Sequence, residues 1–270
     1  MLGVLGRILG GPLLYRGDGV EVRERHGVRT LHLDSDTVQS AMRVEQPDAL
    51  ELSYTRSMMA FLLFAPPPRS ALLVGLGGGS LAKFIYRYMP ETRLHVVEIS
   101  RTVVEVAHAW FALPAQCARL SITIADGAQR VGCLREAVDL LLVDAYDGRS
   151  LAASLATDTF FQAAHAALAP GGVFVMNLWS SDRAFDRNVQ RIERAFKGQC
   201  VCLPAERPGN VAVFAFRAIP ARLRWAELRS HATSLQERFG LEFPRFVEGL
   251  RKMNECDTQG LRLEARPGPA

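Results

Sequence analysis

The chain has 270 residues, 49% hydrophobic and 22% charged, enough to bury a large core in one or two domains and too apolar for a disordered protein. Its net charge of +4 comes from dispersed basic residues with no run of five or six, which gives nucleic-acid binding no support. No apolar stretch reaches the roughly 18 residues of a membrane span, and five scattered cysteines argue against a disulfide framework and for a reducing, cytoplasmic compartment.

The first eleven residues are apolar and glycine-rich, but Arg7 interrupts them and no small-x-small cleavage site follows, so they do not read as a signal peptide. Residues 13–45 alternate apolar and polar positions between the turns Gly17-Asp18-Gly19 and His26-Gly27, predicting a small antiparallel sheet. Residues 47–64 predict a helix with Leu50, Tyr54, Met58, Phe61 and Leu62 on one face, ended by Pro66-Pro67-Pro68.

From there strands and helices alternate. Strands are predicted over 71–75, 94–99, 121–125, 138–143 and 173–178, with helices over 81–89, 102–112, 159–168 (closed by Pro170-Gly171-Gly172) and 182–196. The run 138–143 is almost wholly apolar, as a strand buried on both faces should be. Two further strands, 199–203 and 211–216, have no helix between them and predict an antiparallel edge hairpin. Cys200 and Cys202 share one face of the first, a buried thiol pair lacking the further ligands of a zinc site. Residues 221–252 read as helical, and the late arginines 217, 222, 224 and 229 as a solvated face. Repeated β-α units imply a doubly wound, mainly parallel sheet.

The chemistry gathers at the predicted strand ends. Gly75-Leu76-Gly77-Gly78-Gly79-Ser80 follows the first strand of that sheet and opens a helix, bringing backbone N–H groups toward a ligand; alone it is equally a tight turn. Glu98 ends the next strand 21 residues after Gly77, where a carboxylate accepts hydrogen bonds from both ribose hydroxyls. Asp126-Gly127 ends the third, in register to accept from an adenine amino group; in isolation it is only a turn. Asp144-Ala145-Tyr146-Asp147-Gly148 ends the fourth. Two carboxylates there suit an amine, or equally a helix cap and a surface turn. The glycine loop, Glu98 and Asp126 together read as contacts around one adenine nucleoside.

Together these features resemble the spermidine synthase family, the polyamine aminopropyltransferases, over roughly residues 13–218. The resemblance rests on the N-terminal sheet, Gln39, a tyrosine on the following helix, Gly77-Gly78-Gly79, Glu98, Asp126-Gly127, the Asp-x-x-Asp of Asp144 and Asp147, and Leu168-Ala169-Pro170-Gly171-Gly172. It implies an α/β fold: a Rossmann-like, class I methyltransferase-like sheet with a small N-terminal antiparallel β-sheet domain. The expected divisions are 1–65 (sheet and linking helix), 66–218 (catalytic) and 219–270 (helical extension). It implies decarboxylated S-adenosylmethionine, or S-adenosylmethionine itself, as co-substrate, a small amine acceptor, no metal, no membrane and a homodimer. In that frame Gly75, Gly77, Gly78, Gly79, Glu98, Asp126 and Gly127 hold the nucleoside. Asp144 orients or deprotonates the amine, and Gln39, Tyr54, Tyr146 and Asp147 line the acceptor channel.

The departures fall on the acceptor side. Ser80 stands where the family usually has Asp, Thr55-Arg56 follows Tyr54 and would put a cation by the channel, and the later tyrosine is replaced around Glu206. The rival readings are a methyltransferase on the same fold, a non-catalytic nucleoside-binding protein and, more distantly, an NAD-dependent enzyme, which would leave Asp126 and the Asp-x-x-Asp unexplained.

Overall fold

The computed structural model describes residues 11–146, 151–207 and 209–263, so the N-terminal apolar stretch and Asp147 lie outside the described residues. The alternation at the N-terminus produces β1 (Leu13–Gly17), β2 (Val20–Arg25), β3 (Val28–Leu33) and β4 (Val38–Arg43), an antiparallel meander in sequence order. Asp18-Gly19 and His26-Gly27 all adopt positive φ, the backbone that two-residue hairpin turns demand. Val20, Val22, Leu31 and Met42 are buried in the main core.

The helix predicted over 47–64 is shorter. It comprises α1 (Ser53–Met58) and a 3-10 turn over Met59–Leu63. The Arg56 guanidinium takes the carbonyls of Leu50 and Glu51 at 3.1 and 3.0 Å, so those oxygens lie outside any helical ladder. The hydroxyls of Thr55 and Ser57 bond back to the carbonyls of Leu52 and Ser53 at 2.7 and 3.1 Å, the local competition that weakens a helix.

The central sheet contains β5 (Ser70–Val74), β6 (Arg93–Glu98), β7 (Leu120–Ile124), β8 (Val138–Val143), β9 (Leu168–Trp179), β10 (Cys200–Pro204) and β11 (Asn210–Phe216). Their order is β10-β11-β9-β8-β5-β6-β7. β5 through β9 pair in parallel, and β11 is antiparallel to both β9 and β10, the edge hairpin that the sequence predicts. Successive residues serve opposite faces. Leu73, Val96, Leu142 and Val175 join one core, and Leu72, Val97, Leu141 and Phe174 the other. The crossovers are α2 (Ser80–Tyr88), α3 (Arg101–Trp110), α4 (Gly127–Gly132), α5 (Asp158–Ala167) and, before the hairpin, α6 (Phe185–Ala195).

Two further differences have simple causes. Pro170-Gly171-Gly172 is not a free turn after α5. β9 already begins at Leu168 and carries it as a register shift against β8, with Gly171 at φ 77°. The C-terminal stretch is not helical throughout. β12 (Arg222–Arg224) precedes α7 (Trp225–Phe239) and α8 (Phe243–Leu250) and pairs antiparallel with β13 (Gly260–Arg262).

Lys83 on α2 is fully buried. Its ammonium donates to the Phe111 carbonyl at 2.6 Å and to the Met42 sulfur at 3.1 Å, tying the N-terminal sheet and the turn after α3 to α2. Burial among neutral partners pulls its pKa down to about 8. Between there and the ordinary lysine value of about 10.4, the folded chain binds fewer protons than the unfolded one, so stability rises with pH across that window. Lys83→Met should lack this rise. Urea melts at pH 8 and pH 10 should show the parent gaining on the order of 2 kcal/mol relative to the variant; parallel changes would show that the ammonium is not buried at this cost.

Candidate active site

The chain leaves β5 toward β6 and β7 on one side and later returns to β8 and β9 on the other, so a crevice opens where the direction reverses. The four strand ends along it carry, in spatial order, Asp126, Glu98, Gly75 and Asp144. The ladder continues past the strands: Gly75 N donates to Val97 O and Asp144 N to Val74 O, both at 2.9 Å.

Gly75 has φ 91°, and a Cβ there would lie 2.1 Å from the Asp144 carbonyl oxygen, so no other residue fits. Gly77, at φ 53°, also faces the crevice. Gly78 and Gly79, expected to hold the nucleoside, are packed closely by neighbouring side chains on their Cα side. Their Cβ positions point at the Phe111 ring (2.8 Å) and Leu113 (2.7 Å). Gly127 lets α4 start against Val74, which a Cβ would meet at 2.3 Å.

The Glu98 carboxylate is buried and accepts Leu76 N at 2.8 Å and Ser100 N at 2.9 Å, so it anchors the glycine loop. A carboxylate offers about four lone-pair sites, which leaves capacity for a ligand. Asp126 caps α4 by accepting Gln129 N at 2.9 Å and also lines the crevice, so the cap and the ligand-facing position coincide.

These residues border an inner cavity of about 300 Å³. Its far wall is the N-terminal sheet, through Asp18, Asp34, Gln39 and Ser40. Thr102 bonds Asp18 at 3.1 Å and Ser40 bonds Ser80 at 3.2 Å, closing the two layers on each other. Among the described residues, Asp18, Asp34, Glu98, Asp126 and Asp144 give it five carboxylates, and no lysine or arginine is in its lining. Ile99, 72% exposed, offers an apolar surface beside Glu98.

A second cavity, about 380 Å³, shares Gln39, Tyr54, Asp144 and Tyr146 with the first and runs outward to Asp36, Trp179 and half-buried Arg207. Asp144 sits at the junction. Its Oδ1 accepts Asn177 Nδ2 at 3.0 Å and its Oδ2 accepts the Tyr54 hydroxyl at 3.1 Å. Burial raises its pKa, and these two hydrogen bonds oppose the rise. Burial, with Asp144 adjacent, lifts Tyr54 well above the ordinary tyrosine range, so it stays a donor. The Tyr146 hydroxyl is engaged by Asn177 O and Trp179 N, and its ring stacks on Trp179 at 4.7 Å. The Gln39 Nε2 is buried without a protein partner at the wall of both cavities.

Arg56 does not enter the channel. Its guanidinium pairs with Glu242 at 2.7 Å and Glu206 at 3.6 Å, outside either cavity lining. Glu206 is likewise turned outward, and its neighbour Arg207 faces the outer cavity instead. Sequence reasoning missed Asn177, Asn210, Trp179 and Arg207. Asn177 had a signal, as a lone amide in the apolar run 173–178. No cluster of three potential metal ligands occurs among the described residues.

Residues 51–205 match the family model described as the spermine/spermidine synthase domain. The chain is 44% identical over 236 residues to a polyamine aminopropyltransferase of Chromobacterium violaceum, covering 87% of this chain and 90% of that one. A polyamine aminopropyltransferase of Neisseria meningitidis is 40% identical over 245 residues, covering 90% and 93%. A solved spermidine synthase in complex with the transition state analogue AdoDATO shares the fold, with TM-score 0.70 at 19% identity over 88% of this chain and 84% of that one. Human methyltransferase-like protein 13 in complex with SAH aligns with TM-score 0.63 at 26% identity over 77% and 96%. With a family model spanning more than half of its length and two relatives matched nearly end to end, the chain belongs to the spermine/spermidine synthase family.

Proposed function

We propose that this enzyme is an aminopropyltransferase that moves the propylamine group of decarboxylated S-adenosylmethionine to a small amine, putrescine or another polyamine. The observation that carries this is the pair of cavities meeting at Asp144, the inner one lined, among the described residues, by five carboxylates and no lysine or arginine. The decarboxylated donor carries a sulfonium and an ammonium, which such a wall attracts; S-adenosylmethionine adds a carboxylate, which the wall repels. Glu98 would take the ribose hydroxyls, Asp126 the adenine amino group and Ile99 one face of the base.

The acceptor nitrogen attacks the carbon beside the sulfonium. The carbon–sulfur bond breaks, its electron pair stays on sulfur, and methylthioadenosine leaves. An ammonium has no lone pair, so the acceptor must lose a proton, and Asp144 is the carboxylate at the junction to accept it. Desolvation raises its affinity for that proton, while the neighbouring donors keep the carboxylate in place. Much of the acceleration comes from holding two reactants in line. One departure favours a methyltransferase instead: Ser80, bonded to Ser40, brings no charge where the family pattern usually has Asp.

Incubation with each sulfonium donor and a panel of amines decides between them. Methylthioadenosine formed only from the decarboxylated donor is expected; S-adenosylhomocysteine would sink the proposal. Asp144→Asn should lower turnover by about 10²–10⁴ with nucleoside binding little changed; turnover within threefold of the parent would make Asp144 structural.

Glu98→Ala and Asp126→Ala should each weaken methylthioadenosine binding at least about tenfold by calorimetry, the worth of one charge-assisted hydrogen bond. Unchanged affinity in both would remove the nucleoside assignment.

Arg207→Glu reverses the charge facing the outer cavity. For a diamine acceptor its KM should fall by roughly tenfold at low salt, less at high salt, with kcat little altered. A KM that does not move means the acceptor does not extend toward Arg207.

A further inference from the structure

We infer that Asn210 is a positioning residue that acts through Asn177, holding the Asn177 amide with its NH2 group toward Asp144 and so setting the proton affinity of that carboxylate. The inference rests on the role proposed for Asp144 as proton acceptor.

An ionised carboxylate only accepts hydrogen bonds, so the group that Asn177 presents to Asp144 must be its amide nitrogen, at 3.0 Å from Oδ1. The Asn177 oxygen then points the other way and needs a donor of its own, because the side chain is buried, 2% exposed. Asn210 supplies it: its Nδ2 donates to Asn177 Oδ1 at 3.0 Å. The topology makes this meeting possible. β11 runs antiparallel to β9, pairing Asn210 with Trp179 and Ala212 with Asn177, so its first residue reaches the end of β9 at the crevice. A parallel strand would have brought its last residue there.

The orientation matters because the two faces of an amide act oppositely. The N–H of Asn177 stabilises the carboxylate form of Asp144 and offsets part of the desolvation. If the amide turned over, an oxygen would face an oxygen, and Asp144 would hold its proton more tightly and be less available as a base. Among the described residues, the titratable and charged groups around Asp144 are Tyr54 on α1, Tyr146 on its own loop, Asp18, Asp34, Glu98 and Asp126 across the inner cavity, and Asp36 and Arg207 across the outer one. None of these fixes the Asn177 amide.

The test uses neutral substitutions, so that no new charge perturbs Asp144. In Asn210→Leu the donor is lost, and the acidic limb of the kcat/KM profile should move up by about half to one pH unit, three- to tenfold in proton affinity. Asn210→Ser keeps a hydroxyl donor and should stay near the parent, and Asn210→Ala covers the case in which leucine prevents folding. Asn177→Leu should shift the limb at least as far, and adding Asn210→Leu to it should shift it no further. The same series is followed by carbon-13 NMR titration of the Asp144 carboxyl, which needs no turnover and judges the inference even if the proposed activity is absent. An Asp144 titration in Asn210→Leu that coincides with the parent would overturn the inference. So would a further shift from Asn210→Leu in the Asn177→Leu background. A change in KM alone, equal at every pH, would make Asn210 an acceptor contact and overturn it as well.

Discussion

The site depends on one close approach: β5 and β8 run side by side until the backbone of Gly75 meets the carbonyl of Asp144, with no room for a side chain between them. That contact fixes the glycine loop against the loop that follows β8 and bears Asp144, where strand order reverses. Glu98 holds the same loop from the other side through Leu76 N. The loop is thus suspended between a backbone contact and a carboxylate, so removing Glu98 loosens the loop itself, whereas Asp126 is tied to α4 and not to the loop.

A cavity with five carboxylates works against its own folding unless the charges are compensated. Here compensation comes from neutral donors. Glu98 accepts backbone N–H groups, Asp126 caps a helix, and Asp144 takes an amide and a phenol. Such partners occupy the carboxylate oxygens without bringing an opposite charge into the cavity. The one cation that the sequence seemed to bring into the channel, Arg56, is neutralised outside it by Glu242 and Glu206. Its guanidinium instead holds the carbonyls ahead of α1, the helix that delivers Tyr54 to Asp144.

The N-terminal sheet is part of the same machine. It supplies the far wall of the inner cavity and touches the glycine loop through Ser40, whose hydroxyl leaves no space for a side chain on Gly78 and engages Ser80 directly. Lys83 pins that sheet to α2 from beneath. The residue that departs from the family pattern at Ser80 therefore lies at a layer interface, where a small hydroxyl is held by another.

The sequence by itself determined the alternation of strands and helices, the antiparallel edge hairpin, and which residues stand at strand ends: Gly75, Glu98, Asp126 and Asp144. Period and spacing encode these directly, because a strand buried on both faces must be apolar and must end where polar residues begin. Tertiary structure decided what those residues do. It packed Phe111 and Leu113 against Gly78 and Gly79, took Arg56 out of the channel, and split 47–64 into an irregular stretch, a short helix and a 3-10 turn. It also brought Asn210 to Asn177, 33 residues away, and Tyr54 to Asp144, 90 residues away. Such contacts depend on strand order and direction across the sheet, and a local pattern carries no record of which distant strand will lie beside it.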